Sequence, residues 1–148
     1  MSLAQRLTEA MKEAMRAKQS ERLSVIRLVR GAIKNAEIDK KIILTDADII
    51  SVMSSLVKQR RESAKIYRDN DRIDLAEKEE QEIEVLQEFL PQQLSNDELQ
   101  QLVKSTIAEL GATSMKEMGA VMKVVSAQTI GRADGRLVSE MVKGCLAQ

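Results

Sequence analysis

The sequence has no histidine and no tryptophan, and only one cysteine, one proline, one tyrosine and one phenylalanine among its 148 residues. Without imidazole there is no Ser-His or Cys-His nucleophile pair and no histidine metal site. Cys145 alone cannot complete a zinc site of the usual Cys/His kinds, nor close an intrachain disulfide. The composition thus disfavours a conventional hydrolase, a zinc enzyme and a redox enzyme, and no metal or cofactor is expected. Charge of either sign is also missing as an excess, since 23 Lys and Arg meet 23 Asp and Glu. Bulk basicity therefore does not mark the chain as a nucleic-acid binder. Long apolar runs are absent as well: the longest lies around Ile42-Ile43-Leu44, far short of a membrane span. The stretch Met1 to Met15 is broken by Arg6, Glu9, Lys12 and Glu13 and lacks the apolar core of a signal peptide. A cytoplasmic protein with no membrane contact is expected.

What is present is helical periodicity. Leu3, Leu7, Ala10, Met11, Ala14 and Met15 recur at steps of three and four, one face of a 3.6-residue period. Ser20 can cap a second helix, with Val25, Ile26, Val29, Ala32, Ile33 and Ala36 as its stripe. Thr45 and Asp48 have capping-box spacing before a third helix carrying Ile49, Met53, Leu56, Val57, Ala64 and Tyr67. A fourth is predicted from about Asp74 to Leu90, stopped by Pro91. Beyond it, Ser95-x-x-Glu98 opens a helix ending before Gly111, and Ser114-x-x-Glu117 opens another near Met115. The turn Gly131-Arg-Ala-Asp-Gly135 leads to a last helix carrying Leu137, Val138, Met141, Val142 and Leu146. The expectation is an all-α chain, with about four helices in an N-terminal domain (1–92) and three in a small C-terminal domain (93–148).

Charge is uneven within this frame. Residues 1–34 hold eight Lys and Arg against three acids, and residues 69–90 hold nine acids against Arg72 and Lys78. The ordinary expectation for such runs is mutual compensation, with the acidic fourth helix lying against basic ones. Arg27, Arg30 and Lys34 share one face of the second helix, and Lys58, Arg61, Lys65 and Arg68 one face of the third. Such clusters suit phosphate recognition. With only Tyr67 and Phe89 available to stack on bases, RNA would be held by backbone and shape. Glu80 and Glu84 share a face, but no enclosure nearby would split their pKa values for acid–base work. Gly119 interrupts an apolar helical stretch, which a close approach by a helix or ligand would justify, and Gly131 and Gly135 are candidates for positive φ.

The stretches RLSVIRLVRGAIKNAEID (22–39), VKQRRESAKIYRDNDRIDLAEKEEQE (57–82), EIEVLQEFLPQQL (82–94) and GAVMKVVSAQTIGRADGRLVSEMVKGCL (119–146) resemble the YqeY family. This is a group of small bacterial proteins whose domain is shared with the tail of one component of the glutamyl/aspartyl-tRNA amidotransferase. The last stretch is the most tail-like, although it has Asp134-Gly135 where the enzyme's tail often has Asn-Pro. The resemblance implies a larger N-terminal helical domain, a three-helix C-terminal domain and a role in holding tRNA. Ammonia production and transfer belong to other parts of that enzyme, and this chain has no recognisable Ser/Lys amidase apparatus. A carbon–nitrogen ligase with glutamine as amide donor is therefore not expected of the chain alone. The leading expectation is a non-catalytic tRNA-interacting module, acting with an amidotransferase or an aminoacyl-tRNA synthetase. Its candidate carriers are Lys123, Arg132, Arg136 and Lys143 in the tail-like part, with Arg27, Arg30 and Lys34 as a second patch. The alternative is a protein–protein adaptor that presents Met115, Met118 and Met122.

Overall fold

A computed structural model describes residues 1–147. It is all-helical, in the order α1 (Leu3–Arg16), α2 (Ser20–Lys40), α3 (Asp46–Asp69), α4 (Ile73–Gln87), α5 (Asn96–Leu110), a 3-10 turn (Met115–Glu117), α6 (Met118–Thr129) and α7 (Gly135–Leu146). The chain divides into two compact units, Met1–Leu90 and the part from Pro91 onward.

The first unit closes α1–α4 around one apolar cluster. Leu7, Ile26, Val29, Ile49, Met53 and Leu86 are almost completely buried there, drawn from all four helices. The predicted stripes supply most of this core, while Met15 turns out to be exposed. Phe89 is buried at its edge, with the guanidinium carbons of Arg6 and Arg22 lying 5.9 and 5.7 Å from its ring centre. Arg22 also pairs with the Glu88 carboxylate, and Arg6 donates to the Glu88 carbonyl at 3.4 Å. Two cations of the N-terminal basic run are thereby engaged in holding the end of α4.

The helix ends differ from the expectation at three points. Gln19, not Ser20, is the N-cap of α2, and no side chain caps it. The fourth helix stops at Gln87, because the Phe89 and Leu90 N–H groups donate to Leu86 and Gln87 and tighten the chain before Pro91. At Ser95 only half of the box forms. The Ser95 hydroxyl accepts from the Glu98 N–H at 3.1 Å, while the Glu98 carboxylate takes the Ser95 hydroxyl rather than its backbone N–H. Both Thr45–Asp48 and Ser114–Glu117 make the full reciprocal box.

The second unit packs α5, α6 and α7 through Leu99, Val103, Val121, Val125, Val138, Val142 and Leu146. The tract after Pro91 belongs to this framework. The Leu94 N–H donates to the Arg132 carbonyl at 2.8 Å, and the Gln93 amide donates to the Gly131 carbonyl at 2.7 Å.

Candidate nucleic-acid interface

Arg27, Arg30 and Lys34 lie on α2 as the spacing requires, and all three are exposed. Packing of α1 beside α2 turns their face into one wall of a groove of about 500 Å³, with Ala4 and Thr8 of α1 on the other side. The Arg30 guanidinium bridges towards α1, 2.8 Å from the Met11 sulfur. Glu37 closes one end, but its carboxylate is occupied by the Leu44 N–H at 2.9 Å. Among the described residues none of the three cations enters an ion pair. The groove therefore presents three cations without ion-pair partners against the one carboxylate of Glu37, a net positive charge facing an open space.

The basic face of α3 has a different fate. Its neighbour α4 carries the acids, and Arg68 makes a two-pronged bond to Glu80 at 2.7 and 2.8 Å. This bond and the attraction behind it raise the Arg68 pKa and lower that of Glu80. Arg60, only 11% exposed, holds its Nε 3.3 Å from Glu82 without an aligned hydrogen bond, while its Nη1 donates to the Leu56 carbonyl. Compensation by the acidic helix thus operates at Arg60 and Arg68, while the exposed Lys58 and Lys65 enter no ion pair among the described residues, and it also removes Glu80 as half of a free carboxylate pair.

In the second unit Lys123, Arg136 and Lys143 are exposed, with Arg136 reaching Glu140 only at 4.0 Å. Arg132 is not free in the same way. Its side chain is half-buried and Nε donates to the Gln92 carbonyl at 3.3 Å, because the segment after Pro91 folds back on the α6–α7 turn. The glycines also need correction. Gly131 has φ +74, as a positive-φ position should, but Gly135 is simply the first residue of α7 and carries no positive φ. Gly119 is exposed in the first turn of α6, and a Cβ there would meet nothing within 4 Å, so no close approach by another helix explains it. Of the three methionines, Met118 and Met122 fill gaps against the core and only Met115 is exposed. They do not form one open stripe.

Sequence reasoning missed the α1 wall of the groove, since nothing in the spacing of α2 says which helix lies beside it. It also passed over Gly31, which sits between Arg27 and Lys34 on the cationic face. No group of three or more metal-ligating side chains occurs among the described residues, and no described helix is long and apolar enough to cross a membrane.

The fold and the groove define a two-unit helical protein with a basic face on its first unit. The sequence profile of the Yqey-like proteins matches residues 4–146, and the chain belongs to that family. It is similar to an uncharacterized protein of Schizosaccharomyces pombe, with 33% identity over 57% of this chain and 68% of that one. It is also similar to the altered inheritance of mitochondria protein 41, mitochondrial, of Pyrenophora tritici-repentis, with 33% identity over 93% of this chain and 77% of that one. The protein of the same name from Vanderwaltozyma polyspora is 40% identical over 57% of this chain, and the match spans 46% of that relative's length.

Proposed function

We propose that this chain is a non-catalytic RNA-holding module that engages tRNA through its phosphate backbone. The α2 face is the main contact, and Lys123, Arg136 and Lys143 are a weaker second one. A single observation carries the reading: Arg27, Arg30 and Lys34 line one open groove without an ion-pair partner among the described residues, whereas Arg60 and Arg68 of α3 are taken by Glu82 and Glu80 of α4. Each such cation can neutralise one phosphate and release its counterion. The resemblance to the amidotransferase tail supports tRNA as the RNA, and an amidotransferase or a synthetase as the enzyme that shares it. Compartment belongs to the same proposal. Two of these relatives carry mitochondrial names, so an organelle with its own tRNA suits the module as well as the cytoplasm expected from composition.

The test is binding of tRNA to the full chain between 50 and 200 mM salt. Replacing Arg27, Arg30 and Lys34 together with Ala should weaken binding at low salt by roughly tenfold or more. It should also flatten the salt slope by about two units, at 0.7–0.9 per lost phosphate contact. The Lys123, Arg136 and Lys143 triple should have a smaller effect. Binding by the α2 variant that matches the parent at every salt concentration would overturn the reading.

A further inference from the structure

Gly31 is the twelfth residue of the 21-residue helix α2, where glycine is the poorest ordinary helix former. Two structural reasons usually justify such a residue, a left-handed backbone or a close neighbour. Neither applies here. Gly31 is not among the positive-φ glycines, and a Cβ added to it would meet nothing within 4 Å. Gly119 also has open space around it, but it lies at a helix start with no cationic groove about it. Gly31 is different in its surroundings. It lies four residues after Arg27 and three before Lys34, so the two cations bracket it along one face, about 6 Å and 4.5 Å away along the helix axis. Arg30 and the α1 residue Thr8 flank the same space.

We infer that Gly31 is the seat of the groove, the point where a backbone phosphodiester of the RNA comes down onto α2 between Arg27 and Lys34. A side chain at 31 would stand where the phosphate must sit and would hold it away from both cations. Its absence lets an anion approach the helix surface itself, as glycine does where a backbone and a ligand meet closely. Glu37 limits the seat at one end, since its carboxylate, held by the Leu44 N–H, repels an anion placed further along. The site is therefore short: one phosphate between two cations, with Arg30 available to a neighbouring one. This inference rests on the groove being the RNA contact.

Substitution at Gly31 separates fold from function, because the expected effects have opposite signs. In the full chain, Gly31→Ala should raise the melting temperature measured by circular dichroism, through better helix propensity, and weaken tRNA binding about threefold. Gly31→Leu should weaken it tenfold or more while melting no lower than the parent. The Arg27, Arg30 and Lys34 triple-alanine variant is measured in parallel. If that triple loses binding while Gly31→Ala and Gly31→Leu both bind as the parent does, the seat is wrong and the groove reading survives. If the triple itself binds like the parent, the groove reading fails and the seat fails with it. Should Gly31→Leu melt early, Gly31→Ala alone decides. Higher melting with weaker binding supports the seat, and higher melting with parental binding overturns it.

Discussion

The two units end their helices in different ways. In the first, three non-glycine residues adopt the left-handed conformation: Lys18, Lys41 and Asp71, with φ between 55° and 57°. Each sits in the same double-bonded stop. The Lys18 and Gln19 N–H groups donate to Met15 and Ala14, those of Lys41 and Ile42 to Ile38 and Glu37, and those of Asp71 and Arg72 to Arg68 and Tyr67. The second unit makes this stop with Gly111, whose N–H and that of Ala112 donate to Ala108 and Ile107. Glycine adopts this conformation freely, whereas an L side chain resists it by roughly 1–2 kcal/mol. The first unit thus carries strain at three turns that the second avoids, and it sets against that strain a core of fifteen buried apolar residues, compared with seven. Turn chemistry there is dictated by packing. In the smaller unit the turns agree with local preference.

The largest expected effect tests whether these are two separate cooperative bodies. Leu86→Ala removes a fully buried side chain from the first core, and Leu99→Ala does the same in the second. Each should cost about 2–5 kcal/mol in its own unit. Native-state hydrogen exchange should show protection lost in residues 3–87 for Leu86→Ala and in residues 96–146 for Leu99→Ala. Loss of protection across both units from either change would mean that the chain unfolds as one, and the comparison would collapse.

A smaller effect sharpens it. Lys41→Gly and Lys18→Gly should each stabilise the first unit by less than about 1 kcal/mol, since relief of strain is partly offset by the greater freedom of glycine in the unfolded chain. Gly111→Ala should move the other way by about 1 kcal/mol, as its φ is +65 and the space around it is open, so that strain alone is added. Denaturant midpoints check both. Destabilisation by Lys41→Gly would show that the lysine side chain makes a contact stronger than the strain.

How much of this was legible in the sequence follows the same division. Helix identity, core faces and the reciprocal caps at Thr45 and Ser114 were readable because each is written within one or two turns of chain. The stop at Gly111 was readable because glycine announces it. Lys18, Lys41 and Asp71 carry no such signal, and their conformation is set by where the following helix must pack. The charge fates were hidden for a related reason. Arg27 and Arg68 look alike as members of cationic faces, and only the placement of α4 beside α3 engages Arg68 and leaves Arg27 open. The tether of Arg132 to Gln92 spans forty residues, and no local pattern encodes it.

The smallest effect concerns acid. Two carboxyls of the first unit have pKa values lowered from those of ordinary Asp and Glu side chains: Asp48, chiefly through its bond from the Thr45 backbone N–H, and Glu80, chiefly through its bond from Arg68. Because their folded values are depressed, the unfolded chain binds more protons as pH drops. Their contribution is complete above the ordinary range and disappears as pH falls through the lower folded values. The first unit should therefore lose stability below about pH 4, by a modest amount because both groups face water. Asp48→Asn and Glu80→Gln should each make the midpoint of that unit less dependent on pH between 5 and 3. Salt at about 0.5 M should mimic Glu80→Gln more closely than Asp48→Asn, since it screens the exposed Arg68–Glu80 pair more than a cap bond to backbone. An acid response that neither substitution changes would assign the loss to other carboxylates and remove these two from the account of how the first unit is held.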